Sequence, residues 1–172
     1  VSIGRVFFGG INVYLQQKFP LFRRTPWLVD RLFNAPAMIR WATRRSDSVD
    51  AAQLGDLTVS MLAGQRGHQR KELQKLVHWL RTDIRPDIVH LSNALLLGMV
   101  DGLRELGLPI VCSLSGEDIF VERLAEPHAG LARRAMQQHA EKVPAFVALN
   151  GYYADKMANE LNVPRSRIHV VR

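Results

Sequence analysis

The fold is decided by the stretch from Arg85 to Asp118, which reads RPDIVHLSNALLLGMVDGLRELGLPIVCSLSGED. Its first apolar run, Asp87–Leu91, follows a proline and is typical of a short strand covered on both faces. Its second run, Pro109–Leu114, is more apolar still. Between the two runs, apolar residues recur at helical spacing until Gly107. The stretch therefore predicts a strand–helix–strand unit.

The same alternation continues on both sides of this unit. We predict helices over His68–Arg81, His128–Val143 and Tyr152–Leu161, and strands over Ala145–Leu149 and Ile168–Val171. In the less regular start of the chain, Ile11–Phe22 favours a helix and Leu57–Leu62 a strand. Helices that alternate with strands on short loops predict an α/β fold, with a doubly wound, mostly parallel sheet and helices on both faces.

Composition places the chain among globular proteins. It has 172 residues, of which 47% are hydrophobic and 23% charged, and this excludes disordered, collagenous and disulfide-rich classes. No apolar run approaches the roughly 20 residues that cross a bilayer, and no signal peptide is recognisable, so we expect a cytoplasmic protein. The single cysteine, Cys112, lies in an apolar run and is interpreted as a buried structural thiol. His90, inside a predicted strand, is interpreted as a core histidine.

Positive charge is concentrated in the first half of the chain. Residues 1–86 hold 14 Lys and Arg against 6 Asp and Glu, whereas residues 87–172 hold 9 against 10. The excess between Lys18 and Arg45 implies an anionic surface or ligand. With its apolar and tryptophan residues, this region can lie in a membrane interface with Arg40, Arg44 and Arg45 on anionic headgroups. The alternative is a cover over the sheet; nucleic acid is disfavoured because no recognition motif accompanies the charge.

Candidate chemistry is expected at the loops that follow the strands, because ligands of open α/β sheets bind beyond the carboxyl ends of the strands. These loops are Gly9-Gly10, Ser92-Asn93, Ser115–Asp118 and Asn150-Gly151. Glycines before a helix allow a phosphate to approach the backbone, although such a pair is also ordinary loop geometry. Patterns of nicotinamide-binding and P-loop sites are missing from the sequence.

Two adjacent carboxylates, Glu117 and Asp118, stand at the rim of the predicted crevice. They could bind sugar hydroxyls or take a proton, and the alternative is that they cap the next helical turn in solvent. No histidine, cysteine or acidic cluster has metal-ligand spacing, so the sequence predicts no metal site.

The order of these motifs resembles the N-terminal domain of family 4 glycosyltransferases, which have the GT-B fold. The resemblance is carried by Gly9-Gly10 ahead of a helix, by 85–90, by 108–118, and by the tail from Ala145 to Val171. It implies one Rossmann-like domain over 1–172, which binds the acceptor. A further domain, absent from this chain, would hold the nucleotide sugar. The chain stops at Arg172 directly after an apolar run, and we expect a longer protein.

The resemblance also implies an activity and a set of site residues. The activity is transfer of a sugar from a nucleotide-sugar cosubstrate, such as a UDP- or GDP-sugar, to an acceptor hydroxyl with retention. Gly9, Gly10, Asn93, Ser115 and Gly116 would line the substrate or donor-phosphate site. Gly116 and Asp118 match the end of the family's His-Gly-x-Asp pattern, but Ser115 stands where the family has histidine, so Glu117 would carry more of the catalysis.

Acceptors in this family are often lipid-linked or anionic, which fits the basic Lys18–Arg45 region. We expect a glycan, a lipid-linked molecule or a small molecule as the acceptor, no tightly bound cofactor, and peripheral attachment to the inner membrane face. This domain alone is expected to be inactive. Two alternatives stay open: a free-standing Rossmann-like ligand-binding module without catalysis, and a peripheral membrane-binding module.

Overall fold

The computed structural model of the chain describes residues 10–23 and 51–171. Its helices and strands over these residues are, in chain order, α1 (Gly10–Lys18), α2 (Ala51–Leu62), α3 (Arg70–Trp79), β1 (Val89–Leu91), α4 (Val100–Arg104), β2 (Ile110–Leu114), α5 (Glu117–Glu122), α6 (His128–Ala140), β3 (Ala145–Ala148), α7 (Gly151–Leu161) and β4 (Ile168–Val170). Short 3-10 turns cover Pro20–Arg23, Gly64–Arg66, Ala94–Met99 and Arg165–Arg167, and a π-helical turn, Leu80–Ile84, extends α3.

The four strands form one parallel sheet in the order β1-β2-β3-β4. The α/β class and the Rossmann-like parallel sheet predicted from the sequence are therefore confirmed. The four strands predicted from Asp87 onward all exist, and each is shorter than predicted by one or two residues at its ends. Gly107 has a φ of +72° just before β2, where glycine ends the preceding helix at little steric cost.

One face of the sheet forms the core. Leu91, Cys112, Phe146 and Ile168 lie side by side in the strand register and are all buried. Helical residues of 94–104, α6 and α7 pack against this face as part of the same apolar cluster. The predicted burial of Cys112 is confirmed, and burial raises the pKa of its thiol. The connecting helices therefore hold the strand ends in fixed positions.

Among the described residues, the opposite face of the sheet is more accessible to solvent. The residues on this face alternate with the core residues along the strands, and none of them is buried: they are His90, Val111, Ser113, Val147 and His169. The interpretations of His90 as a core histidine and of β1 as a strand covered on both faces are wrong. His90 is exposed because strand alternation turns it away from Leu91, and its Nε2 lies 2.7 Å from the Oγ of Ser113.

Two further predictions in the first part of the chain need correction. Leu57–Leu62 is the second half of helix α2, not a strand. Read alone, this short segment alternates apolar and polar residues as a strand does, whereas in the structure Gly55 lets α2 approach His128 of α6 closely. The predicted helix over 11–22 ends earlier, at Lys18, and a 3-10 turn begins at Pro20. Proline lacks the N–H that continues a helix and disfavours helical backbone in the residue before it.

Candidate functional site

The loops after β1, β2 and β3 lie at the same edge of the sheet because the strands are parallel. Each of these loops begins a helical segment, at Ala94, Glu117 and Gly151 respectively. Asn93 and Asn150 cap the first and third segments: their Oδ1 atoms accept hydrogen bonds from Leu95 N at 3.0 Å and from Tyr153 N at 2.8 Å. The sequence thus placed three of its four candidate loops correctly at this edge.

Glu117 connects the first two loops. Its Oε1 accepts a hydrogen bond from the backbone N–H of Ala94 at 2.7 Å, and its Oε2 accepts one from Ser115 N at 2.7 Å. Only 4% of the residue is exposed. A buried carboxylate that accepts charge-assisted bonds from two backbone donors fixes the position of both segments. Glu117 therefore clamps the loop after β1 to the loop after β2.

Tyr153, in the first turn of α7, connects the second loop to the third. Its hydroxyl accepts a hydrogen bond from Gly116 N at 2.7 Å and lies 2.9 Å from Asp118 Oδ1 and 3.1 Å from Glu117 Oε2. Burial raises the pKa of the tyrosine, and the neighbouring carboxylates of Asp118 and Glu117 raise it further. The hydroxyl therefore stays protonated and donates a hydrogen bond to a carboxylate. The loops after the three strands therefore form one hydrogen-bonded network.

Asp118 carries a negative charge in this network. Burial alone would raise its pKa, but hydrogen bonds from Lys156 and Tyr153 outweigh that effect and lower it. The Nζ of Lys156 lies 2.5 Å from Asp118 Oδ2. The same hydrogen bond raises the pKa of Lys156. Asp118 is therefore an ionised carboxylate with a fixed orientation, and the alternative of a solvent-facing cap is wrong for both Asp118 and Glu117, because both side chains are buried.

Ser115 and Gly116 form the tip of the loop after β2. Ser115 is exposed, and its Oγ lies 3.5 Å from Glu117 Oε1. Gly116 has a φ of +102°, a backbone conformation that only glycine adopts readily, and a Cβ at this position would meet open space. The loop tip thus presents backbone and a hydroxyl to solvent. The acidic side chains behind it hold its shape.

Several predicted site residues fall elsewhere. Gly9, Arg40, Arg44 and Arg45 lie outside the described residues. Gly10 is the first residue of α1, a helix that contacts α3 through Gln16, whose Nε2 donates to Glu72 Oε1 at 2.9 Å. Across the described parts of the chain, no three histidine, cysteine or acidic side chains gather into a group that could hold a metal ion.

Tyr153 and Lys156 are site residues that the sequence analysis missed. They lie three residues apart on α7, so both reach the same neighbouring helix turn, where Asp118 lies. The Asn150 cap that begins α7 just before them was the available signal. The spacing of Tyr153 and Lys156 after that cap places both side chains on one face of the helix, but it does not identify the acidic loop as their partner.

Comparisons with known proteins identify the family of this chain. No helix within the described ranges is both long and apolar enough to cross a bilayer. Searches of curated proteins and of solved structures give no significant match. The family model described as Glycosyltransferase Family 4 matches residues 42–172, which is most of the chain and includes the whole sheet with its three linked loops. The chain therefore belongs to glycosyltransferase family 4 and carries a glycosyltransferase domain.

Proposed function

We propose that this domain forms the acceptor side of a glycosyltransferase that moves a sugar from a UDP- or GDP-sugar to an acceptor hydroxyl with retention. A second domain, beyond residues 1–172, would hold most of the nucleotide sugar. The observation that supports this proposal most strongly is the linked loop network at the carboxyl edge of the sheet, where α/β proteins bind ligands.

The charges of this network suit the reaction. Sugar transfer passes through an oxocarbenium-like state, in which the sugar becomes positive and the leaving diphosphate becomes negative. The ionised Asp118 would favour positive charge that develops near the loop. Ser115 and Gly116 at the loop tip, with Gly9 and Gly10, would approach the acceptor or the donor phosphates.

Glu117 and Asp118 were predicted as catalytic residues, and the contacts support distinct roles for them. Both oxygens of Glu117 are engaged by backbone N–H groups, which supports a positioning role for this side chain. Asp118 is paired with Lys156 and Tyr153, so its charge would act on the substrate from behind the loop tip. Asn93, which caps the segment after β1, would line the cleft beside them.

The acceptor proposed for this site is partly apolar. Ile119, Leu149 and Tyr152 belong to the loops or first helical turns of the network, and all three side chains are exposed; Tyr152 is 80% exposed. Apolar side chains held at a binding edge fit a lipid-linked or aryl-bearing acceptor better than a free sugar. The cytoplasmic, membrane-peripheral location proposed with it would use Arg40, Arg44 and Arg45 against anionic headgroups.

Glycosyl transfer is tested on the full-length protein that contains this domain, with UDP- and GDP-sugars and release of the nucleoside diphosphate as the readout. Gly116→Ala should lower the transfer rate, because alanine disfavours the left-handed backbone of the loop tip. Gly151→Ala is the matched control, because its Cβ also meets open space and its backbone is helical. Equal rates for both variants would contradict a role of the loop tip.

The 172-residue chain provides the complementary test. Titrated alone with UDP- or GDP-sugar, it should show little affinity and no turnover, because most of the donor site would be missing. Sub-micromolar binding with turnover by this chain would overturn the division of labour between two domains. Tight small-molecule binding without turnover would favour the ligand-binding module instead.

A further inference from the structure

A groove with strongly positive walls lies on the described surface away from the candidate site. It is a shallow, open concavity whose volume, counted together with adjoining solvent, is about 1020 Å³. Its charged or titratable lining side chains are Arg23, Arg66, His68, Arg70 and Lys71, and the remaining described lining residues are Gly67 and two glutamines, Gln65 and Gln74. None of its described lining residues is acidic. We call this feature the basic groove.

The basic groove adjoins the opposite end of the sheet from the linked loops. Gln65, one of its lining residues, donates from Nε2 to Glu105 Oε1 at 2.6 Å. Glu105 lies in the turn that leads from α4 into the amino end of β2, whereas Ser115 follows the carboxyl end of that strand. The basic groove is thus separate from the edge at which sugar transfer is proposed.

Two of the cations are held in place by the backbone. Arg23 donates from Nε to Gln16 O at 2.8 Å and from a terminal nitrogen to Gln17 O at 3.2 Å, which anchors its guanidinium at the end of α1. Lys71 is only 7% exposed, and its Nζ donates to Phe22 O at 3.0 Å. Anchored cations lose less conformational entropy when a ligand binds, so they are better binding groups than free surface lysines.

The other two cations, Arg66 and Arg70, are exposed. Within residues 10–23 and 51–171, neither has a carboxylate partner within ion-pair distance. The acids nearby are engaged elsewhere, since Glu72 pairs with Lys75 at 2.6 Å and Asp56 pairs with His128 at 3.0 Å. The described wall thus holds more positive than negative charge, with Arg66 and Arg70 exposed to solvent, and such a concavity attracts an anion.

The pKa of His68 is affected by this positive environment. Burial lowers its pKa first, and the nearby Arg23 lowers it further, while Asp56 acts in the opposite direction. The neutral imidazole lies with its Nδ1 3.1 Å from Gln17 Oε1. It adds a polar, uncharged group to the wall of the basic groove.

We propose that the basic groove binds a phosphate-bearing anion through Arg66 and Arg70, with Arg23 and Lys71 as fixed cations. Arginine favours phosphate because its planar fork of donors matches two phosphate oxygens at once. The phosphate can belong to a small diphosphate or to a lipid headgroup. This site is independent of the proposed sugar transfer and uses none of the linked loops.

The test titrates the 172-residue chain with inorganic pyrophosphate by calorimetry, at about 0.15 M salt, where exposed charges are largely screened beyond about 8 Å. Co-sedimentation with vesicles of phosphatidylcholine, with and without phosphatidylglycerol, is run in parallel. The groove variant is Arg66→Glu with Arg70→Glu. The matched control is Arg104→Glu with Arg134→Glu, which changes the net charge equally at exposed arginines that do not line the groove.

We expect the groove variant to weaken binding about tenfold or more, since it reverses two charges close to the anion, and the control to change binding far less. Loss of pyrophosphate affinity identifies a soluble anion, and loss of binding to anionic vesicles alone identifies a lipid headgroup. Circular dichroism of the variants confirms that they fold. Equal weakening by the control, binding of citrate as tight as that of pyrophosphate, or no binding to either phosphate source would overturn the proposal.

Discussion

The two ends of the parallel sheet handle charge in opposite ways. At the carboxyl end, the acids Glu117 and Asp118 are buried and satisfied by backbone N–H groups, a tyrosine hydroxyl and one lysine. At the amino end, the exposed cations Arg66 and Arg70 of the basic groove have no acidic partner among the described residues. Charge that is satisfied internally fixes the shape of a loop, whereas charge that is left unsatisfied at a surface attracts a ligand. The carboxyl end is therefore tested by measurements of stability, and the amino end by measurements of binding.

The largest effect is expected from Glu117→Ala. This change leaves the buried N–H of Ala94 and the N–H of Ser115 without an acceptor, and it should lower the free energy of unfolding by about 2–5 kcal/mol. Glu117→Gln retains one oxygen acceptor and should fall between this variant and the parent chain. Urea denaturation followed by circular dichroism measures the difference.

The control for this experiment is Glu122→Ala in the same helix. Glu122 is exposed, and its carboxylate lies 3.8 Å from Lys156, so its removal should change stability by less than about 0.5 kcal/mol. If the two alanine variants lost equal stability, the carboxyl end would not be held by internal pairing, and the contrast between the two ends would disappear.

A smaller loss is expected from Tyr153→Phe. It removes the acceptor for Gly116 N and a donor to Asp118, at a cost of about 1–3 kcal/mol in unfolding free energy. The pKa of Asp118 should rise in this variant, because one of the hydrogen bonds that lower it is lost. Chemical denaturation and titration by NMR measure the two effects.

Tyr152→Phe is the control for Tyr153→Phe, because the neighbouring tyrosine is exposed. It should leave both stability and the pKa of Asp118 unchanged. A Tyr153→Phe variant as stable as Tyr152→Phe would show that the loops after β2 and β3 are not joined through the Tyr153 hydroxyl.

The smallest effect is the pH dependence of stability that comes from the buried His139, whose pKa is influenced by Arg66 of the basic groove. Burial lowers the pKa of His139 from 6.5, and Lys142 and Arg66 lower it further, against the opposing effects of Asp101 and of a hydrogen bond to Leu62 O. The unfolded chain therefore binds the proton more tightly than the folded one. The free energy of unfolding should fall as the pH drops below about 6.5 toward the lower folded pKa.

Denaturation midpoints measured between neutral and mildly acidic pH test this expectation, with His139→Gln as the comparison. The variant should lose part of the pH dependence, whereas His169→Gln, at an exposed strand position, should retain it. A His139→Gln variant with the full pH dependence would contradict the assignment to this buried imidazole.

The sequence predicted the parts of the fold that depend on local periodicity. The strands 110–114 and 145–148 were readable because apolar runs stood between helical stripes, and the loops at Asn93 and Asn150 were placed correctly after strands. Leu57–Leu62 was misread because Thr58 and Ser60 alternate with apolar residues, which over six residues is the period of a strand. Its helical state follows from packing against α6, which the sequence does not show.

The candidate site was readable only in part, for a similar reason. Acids at the end of an apolar strand identified the loop at Glu117 and Asp118. Tyr153 and Lys156, however, are separated from these acids by more than thirty residues of chain. A contact of that separation is set by the register of β2 and β3 and by the direction of α7. The exposure of His90 depended likewise on which face of the sheet the helices cover.

The bridge made by Glu117 has a mechanical consequence. Because one carboxylate holds two loops and Tyr153 adds a third, none of these segments can shift alone without breaking a hydrogen bond. They would respond to a docking molecule as a single rigid block. Changes of preference among related chains would then arise through exposed positions such as Ile119, Leu149 and Tyr152, whose replacement leaves the block intact.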